Sequence, residues 1–181
     1  MRPFNKVAII GVGLIGGSIG LAVKKQKVAG EVVGIFRHGS TLKRALRCKA
    51  VDRGVLDMAE GVADADLIVI CSPVHSIPAL AWEAARFAKR GTVITDAGST
   101  KSWIVSEMDR LFKGSPVRFV GSHPMAGSER TGVEAARFDL FKGSPCVVTK
   151  TARTDKTALS RVTGFWKLIG ARVKVLDPAE H

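Results

Sequence analysis

Short apolar runs rich in β-branched residues alternate with longer amphipathic segments along this chain. The strand-like runs fall at 6–10, 32–36, 67–71, 92–95, 118–120, 145–149 and 172–176, and the helix-like segments at 15–25, 41–49, 77–89, 101–112 and 154–169. Runs such as Leu67-Ile68-Val69-Ile70-Cys71 are apolar at every position, the pattern of a strand covered on both faces. Strand and helix in alternation predict right-handed βαβ units, and hence an α/β fold with a doubly wound, mostly parallel sheet. No internal repeat or low-complexity linker interrupts the 181 residues, so 1–181 reads as one domain. The segment 121–143, rich in glycine, serine and short polar stretches, reads as a long loop of the kind that carries function.

Composition narrows the class. Apolar residues make up 46% of the chain, enough for a continuous core. No stretch approaches the roughly 20 apolar residues of a membrane span. The first residues run straight into a strand-like segment with no apolar leader, which gives the expectation of a cytoplasmic protein without a membrane partner. The formal charge of +12 suits a polyanionic ligand. The basic residues are scattered over helix-like segments without interleaved aromatic stacking residues, so the expected polyanion is a small molecule and not a nucleic acid. Cys48, Cys71 and Cys146 are widely spaced with no CxxC pair, so neither a metal site nor a disulfide framework is indicated, and reduced, mostly buried thiols are expected.

The strongest local signal is Gly11-Val12-Gly13-Leu14-Ile15-Gly16-Gly17-Ser18. It follows the strand-like Lys6-Val7-Ala8-Ile9-Ile10 and opens a helix, the context that makes this glycine pattern a dinucleotide-binding signature of Rossmann type. Gly11 allows the tight turn, Gly13 lets the backbone approach a pyrophosphate, and Gly16 lets helix and strand pack closely. The free N–H groups of the helix start, around Leu14 and Ile15, then hold the phosphates. The second strand ends Phe36-Arg37-His38-Gly39-Ser40-Thr41, with no acid to bind a ribose 2′-hydroxyl. Arg37 can pair with a 2′-phosphate and the Ser40 and Thr41 hydroxyls can donate to it, so NADP is expected ahead of NAD. The alternative is that Arg37 is an ordinary surface charge beside a permissive NAD site. Cys71-Ser72-Pro73 and Gly98-Ser99 follow two later strands, at the carboxyl ends where open sheets bind ligands. Ser99 or Thr100 could equally cap the next helix.

Gly121-Ser122-His123-Pro124-Met125-Ala126-Gly127-Ser128-Glu129, taken with the glycine turn, Cys71-Ser72-Pro73-Val74, Asp96-Ala97-Gly98-Ser99-Thr100-Lys101 and Phe138-Asp139-Leu140-Phe141, resembles the prephenate and arogenate dehydrogenase family of tyrosine biosynthesis. The likeness covers essentially the whole chain in the right order. It implies oxidation of the ring hydroxyl carbon of prephenate or arogenate, hydride transfer to a nicotinamide, and loss of the ring carboxylate as carbon dioxide. It further implies that His123 is the catalytic histidine, that Ser99 helps hold the substrate hydroxyl, and that Glu129, beside Ser128, joins an ionic network near the pocket mouth. It implies a helical domain after residue 181 that forms a homodimer and supplies further substrate-binding residues, so half of the substrate pocket is expected beyond this chain.

The chemistry is consistent with that assignment. Hydride loss leaves a developing carbonyl, so the substrate hydroxyl must shed its proton, and a neutral imidazole accepts it. From the residues alone, His123 is equally readable as a loop histidine that caps backbone groups next to Pro124. Two other readings compete: a different Rossmann oxidoreductase, of the β-hydroxyacid or pyrroline-carboxylate reductase kind, and a non-catalytic NADP-sensing module. The His-Pro-Met-Ala-Gly-Ser-Glu segment argues against the first, and retention of His123 and Ser99 against the second.

Overall fold

In the computed structural model, which describes residues 2–181, β1 (Phe4–Ile10) leads through a glycine turn into α1 (Leu14–Lys25). The step is repeated by β2 (Ala29–Ile35) and α2 (Gly39–Arg47), β3 (Arg53–Val55) and α3 (Met58–Val62), and β4 (Leu67–Ile70) and α4 (Ile77–Phe87). β5 (Val93–Asp96), α5 (Lys101–Leu111) and β6 (Arg118–Phe119) complete the series. The strands are all parallel, in the order β3-β2-β1-β4-β5-β6. The chain starts in the middle, works outward to β3, then crosses back to β4 and works outward the other way. The order reverses between β1 and β4, and at that switch point a crevice opens at the strands' carboxyl ends.

β1 and β4 are apolar because both faces are covered. Val7, Ile9, Leu67 and Val69 pack on one face with Ile19 and Val23 of α1. Ala8, Ile10, Ile68 and Ile70 pack on the other, with Ala81 and Ala84 of α4 and Ile104 and Met108 of α5. The two-residue period of a strand sorts alternate side chains in this way. Full burial of each larger aliphatic side chain contributes about 1.5–3 kcal/mol, so the strand ends that carry the glycine turn and Cys71 rest on a stiff floor.

The expected α/β, doubly wound fold is present, with one difference in the sheet. The runs 145–149 and 172–176 do not extend the main sheet. They form β8 (Pro145–Thr149) and β9 (Arg172–Leu176), parallel to each other around α6 (Lys156–Leu168), in a second sheet of order β7-β8-β9. β7 (Ser122–Pro124) lies antiparallel to β8 and comes from the segment read as loop. Its three residues include a proline and no β-branched side chain, so no local signal marks it; the ladder with β8 creates it. β3 and α3 also escape the sequence reading, being too short to show a period. α6 packs Phe165 and Trp166 into the same core as β1 and α1, so the second sheet is built onto the first without a break in the apolar interior. No helix among the described residues is long and apolar enough to cross a membrane. All three cysteines are free; Cys146 is buried, but Cys48 and Cys71 are only partly so.

Candidate active site

The turn after β1 is shaped by its glycines. Gly11 has φ +88°, and a Cβ there would stand 2.6 Å from the Cys71 carbonyl oxygen. A Cβ on Gly16 would stand 2.3 Å from the Gly11 carbonyl oxygen and 3.1 Å from Ile9, so this residue lets α1 close onto the turn and strand. Gly13 differs: nothing lies within 4 Å of its Cβ position, and open space is what an approaching pyrophosphate needs. Gly13 is also the N-cap of α1, with no side-chain cap and no acid in the first turn. The first amides of α1, at Leu14 and Ile15, are thus left for an anion.

A cavity of about 710 Å³ opens beside this turn, lined by Gly11, Gly13, Arg37, His38, Thr41 and Cys71-Ser72-Pro73 among others. Leu56, Met58, Leu80 and Phe87 give it an apolar wall. A slot with apolar walls and an anion-binding rim fits a nucleotide. Cys71 lines the cavity, and its enclosure, with the Asp96 charge, pushes its thiol pKa up, away from thiolate character. Arg37 and Ser40 are exposed. Thr41 donates its hydroxyl to the His38 carbonyl at 2.7 Å, so its proton is already engaged; as a phosphate donor it would have to rotate away. Arg44, one helical turn beyond Thr41, lines the cavity as well and was not singled out from the sequence.

Gly98, Ser99 and His123 do not line this cavity; they gather around a buried ion pair. Asp96, the last residue of β5, and Lys101, the first of α5, are fully buried and bonded to each other. Asp96 Oδ2 accepts the Gly98 amide at 2.9 Å, and its Oδ1 accepts the Ser122 amide at 3.1 Å. One carboxylate therefore ties down the residue before Ser99 and the residue before His123. Lys101 Nζ also donates to the Ser122 carbonyl at 2.9 Å. The Ser122 hydroxyl donates to the Asp96 carbonyl at 2.5 Å, meets Thr95 Oγ1 at 2.8 Å, and accepts the Trp166 indole N–H at 2.9 Å. Burial pulls the Lys101 pKa down from its ordinary 10.5, and the bonded Asp96 carboxylate opposes that shift. Asp96 and Lys101 stand within a motif of the sequence that marks no separate role for them. Their signal was a charge at each end of a six-residue turn between an apolar strand and an amphipathic helix.

Ser99 is exposed and does not cap α5, whose N-cap is Thr100 with no side-chain bond, so neither hydroxyl takes the capping role. Gly98 is packed between Ile77 and Ile104, where a Cβ would be 2.8–2.9 Å from both. His123 is half-buried, and its Nδ1 lies 2.9 Å from Nε2 of His181, a residue with no motif of its own. Burial lowers the His123 pKa from its ordinary 6.5; the His181 ring and the Lys101 ammonium push the same way, and Asp96 opposes them. A histidine kept neutral in this way can accept a proton. Ser128 and Glu129 are exposed, and Ser128 Oγ accepts the Arg130 amide at 3.1 Å.

Residues 19–175 match the family described as the prephenate dehydrogenase nucleotide-binding domain. This chain belongs to that family. A prephenate dehydrogenase of Lactococcus lactis is 38% identical over 182 residues, covering 98% of this chain and 48% of the relative. Among solved structures, a prephenate dehydrogenase from Aquifex aeolicus in complex with hydroxyphenyl propionate and NAD+ superposes with a TM-score of 0.90 at 27% identity, over 98% of this chain and 61% of that one. A Synechocystis arogenate dehydrogenase gives a TM-score of 0.88 at 27% identity, over 97% and 61%. The chain spans about half the length of the curated relatives it matches.

Proposed function

We propose that this chain is the cofactor-binding half of a cytoplasmic dehydrogenase that oxidises and decarboxylates prephenate or arogenate, with NADP preferred over NAD. The observation that carries the reading is the Asp96 carboxylate, which fixes the backbone next to both Ser99 and His123 at the carboxyl end of β5, two strands along the same parallel sheet from the strand that leads into the glycine turn. In this reading Gly11, Gly13, Leu14, Ile15 and Gly16 hold the pyrophosphate, Arg37 with Ser40 and Thr41 takes the 2′-phosphate, and Cys71, Ser72 and Pro73 border the cofactor, while Gly98, outside the cavity lining, leads the chain into Ser99. When bound, the nicotinamide supplies the acceptor for the substrate's hydride. Ser99 holds the substrate hydroxyl, and His123 receives its proton at Nε2, the ring nitrogen not facing His181. The carboxylate departs as carbon dioxide, its bonding electrons completing the aromatic ring. Ser128 and Glu129 lie near the mouth. A helical domain beyond residue 181 provides the rest of the substrate pocket and the homodimer contact.

Two measurements test the halves of this proposal. Titration of NADP and NAD should show tighter binding of NADP, and Arg37→Ala should remove about 1.5–3 kcal/mol of NADP affinity, the worth of a charge-assisted phosphate contact. Equal wild-type affinities, or an unaffected mutant, would end the selectivity argument. The 181-residue chain alone should bind cofactor, since pyrophosphate recognition is local to residues 11–18, yet show little or no dehydrogenase activity. Hydride transfer needs the substrate held about 3–3.5 Å from its acceptor, and half of the clamp lies elsewhere. Normal turnover by this chain alone would refute the need for a second domain.

A further inference from the structure

Arg37 is not alone at the exposed end of the cavity. Arg44 lines the same cavity one turn along α2 from Thr41, with its side chain 45% exposed. The start of α2 favours an anion: its N-cap, His38, makes no side-chain cap and its first turn holds no acid. Facing Arg44 is Glu134, whose Oε1 lies 3.6 Å from Arg44 Nη1. Glu134 belongs to a short 3-10 turn, Val133–Ala135, that is anchored on α1. Val133 and Ala136 reach the Gly17 position, where a Cβ would meet them at 2.9–3.0 Å, and the Arg137 amide donates to Ser18 Oγ at 3.0 Å. Gly132 and Val133 line the cavity too. Of the other acids on the cavity wall, Asp57 is engaged as the cap of α3 and Glu83 stands on α4.

We propose that Arg44 is a second ligand of the cofactor's 2′-phosphate and that Glu134 is its resting counter-ion, which the phosphate displaces. The proposal rests on the reading that this cavity takes a 2′-phosphorylated adenosine. An ion pair this exposed is worth little, so Arg44 exchanges it readily for a dianion that can accept both arms of its guanidinium. Glu134 weakens phosphate binding in two ways: it holds Arg44, and it places a like charge near the site. Because the Glu134 turn is fixed to α1, only the Arg44 side chain has to move.

The test uses the adenosine halves of the two cofactors, 2′,5′-ADP and 5′-AMP, titrated into the 181-residue chain alongside NADP and NAD. Arg44→Ala should weaken 2′,5′-ADP and NADP roughly tenfold and change AMP and NAD less than about twofold. Glu134→Gln should tighten 2′,5′-ADP by about two- to fivefold, and this gain should vanish in the Arg44→Ala, Glu134→Gln double variant. An Arg44→Ala loss equal for both nucleotides, or no loss, overturns the ligand role. A Glu134→Gln gain that is absent, or that persists without Arg44, overturns the counter-ion role. The parent reading fails separately: wild-type protein that binds 2′,5′-ADP no better than AMP, with Arg37→Ala silent, removes the 2′-phosphate site and this proposal with it. Sensitivity at Arg37 without sensitivity at Arg44 removes only this one.

Discussion

Replacing His123 with asparagine is expected to lower kcat by about 10²–10⁴-fold in the form of the enzyme that carries both halves of the substrate pocket. Asparagine fills much of the imidazole's place and hydrogen-bonds, but it takes no proton, so KM and cofactor affinity should change far less than kcat. The pH dependence follows from the surroundings of the ring. His123 is held below 6.5 by burial, then by the His181 ring and Lys101, against the pull of Asp96. The base form therefore persists at pH 6.5, and the acid-side fall in kcat should lie below that value. Stability has the same sign. The folded state binds fewer protons than the unfolded one, so stability is lost as pH falls from 6.5 through the lower folded value. A merely structural histidine predicts a lower Tm with activity scaling to the folded fraction. A variant that is folded, binds cofactor and keeps near-normal kcat would exclude His123 from proton transfer.

The largest effect on stability is expected at Lys101. Replacing it with methionine keeps most of the volume and strands the Asp96 carboxylate in a site where both partners are fully buried. Removing one member of a buried pair costs about 3–5 kcal/mol, because the remaining charge has neither water nor partner. In a chain of this size that corresponds to a fall in Tm of roughly 6–20 °C. The double variant Asp96→Asn, Lys101→Met removes the stranded charge and should recover part of the loss. In the form carrying both halves of the pocket it should not recover activity, since the two oxygens of the carboxylate accept the Gly98 and Ser122 amides separately and an amide offers only one such oxygen. Thermal unfolding of the two variants decides the matter: a Lys101→Met protein within about 1 kcal/mol of wild type would show that the pair contributes little.

The inner strands of the main sheet were legible because β1, β2, β4 and β5 are mostly buried on both faces and carry their signal in their own residues. Leu67–Ile70 is one apolar run, and the glycine turn states its geometry in a contiguous motif. β7 was not legible, since Ser122-His123-Pro124 becomes a strand only through Val147 and its neighbours across the ladder. The same division runs through the site. Gly11, Gly13 and Gly16 act through the local backbone, and the structure gives each a distinct steric reason. Asp96 and Ser122 act through a contact spanning 26 residues, which no local pattern encodes. Arg44 was missed for a different reason: on an exposed helix face a basic residue looks the same whether or not it borders a ligand.

The placement of these two groups has a consequence for how sequences of this kind can diverge. Residues 37–40 are exposed, as are Lys43 and Arg44, and substitutions at such positions typically shift stability by no more than about 0.5 kcal/mol. Asp96, Lys101, Ser122 and Trp166 are all buried in one hydrogen-bonded network, where almost any single change leaves a partner stranded. On the proposed role of Arg37 and Arg44, nucleotide preference can therefore drift along one short surface stretch, a residue at a time, with each intermediate still folded. The scaffold beneath His123 has no such gradual route, and alterations there must arrive in compensating pairs.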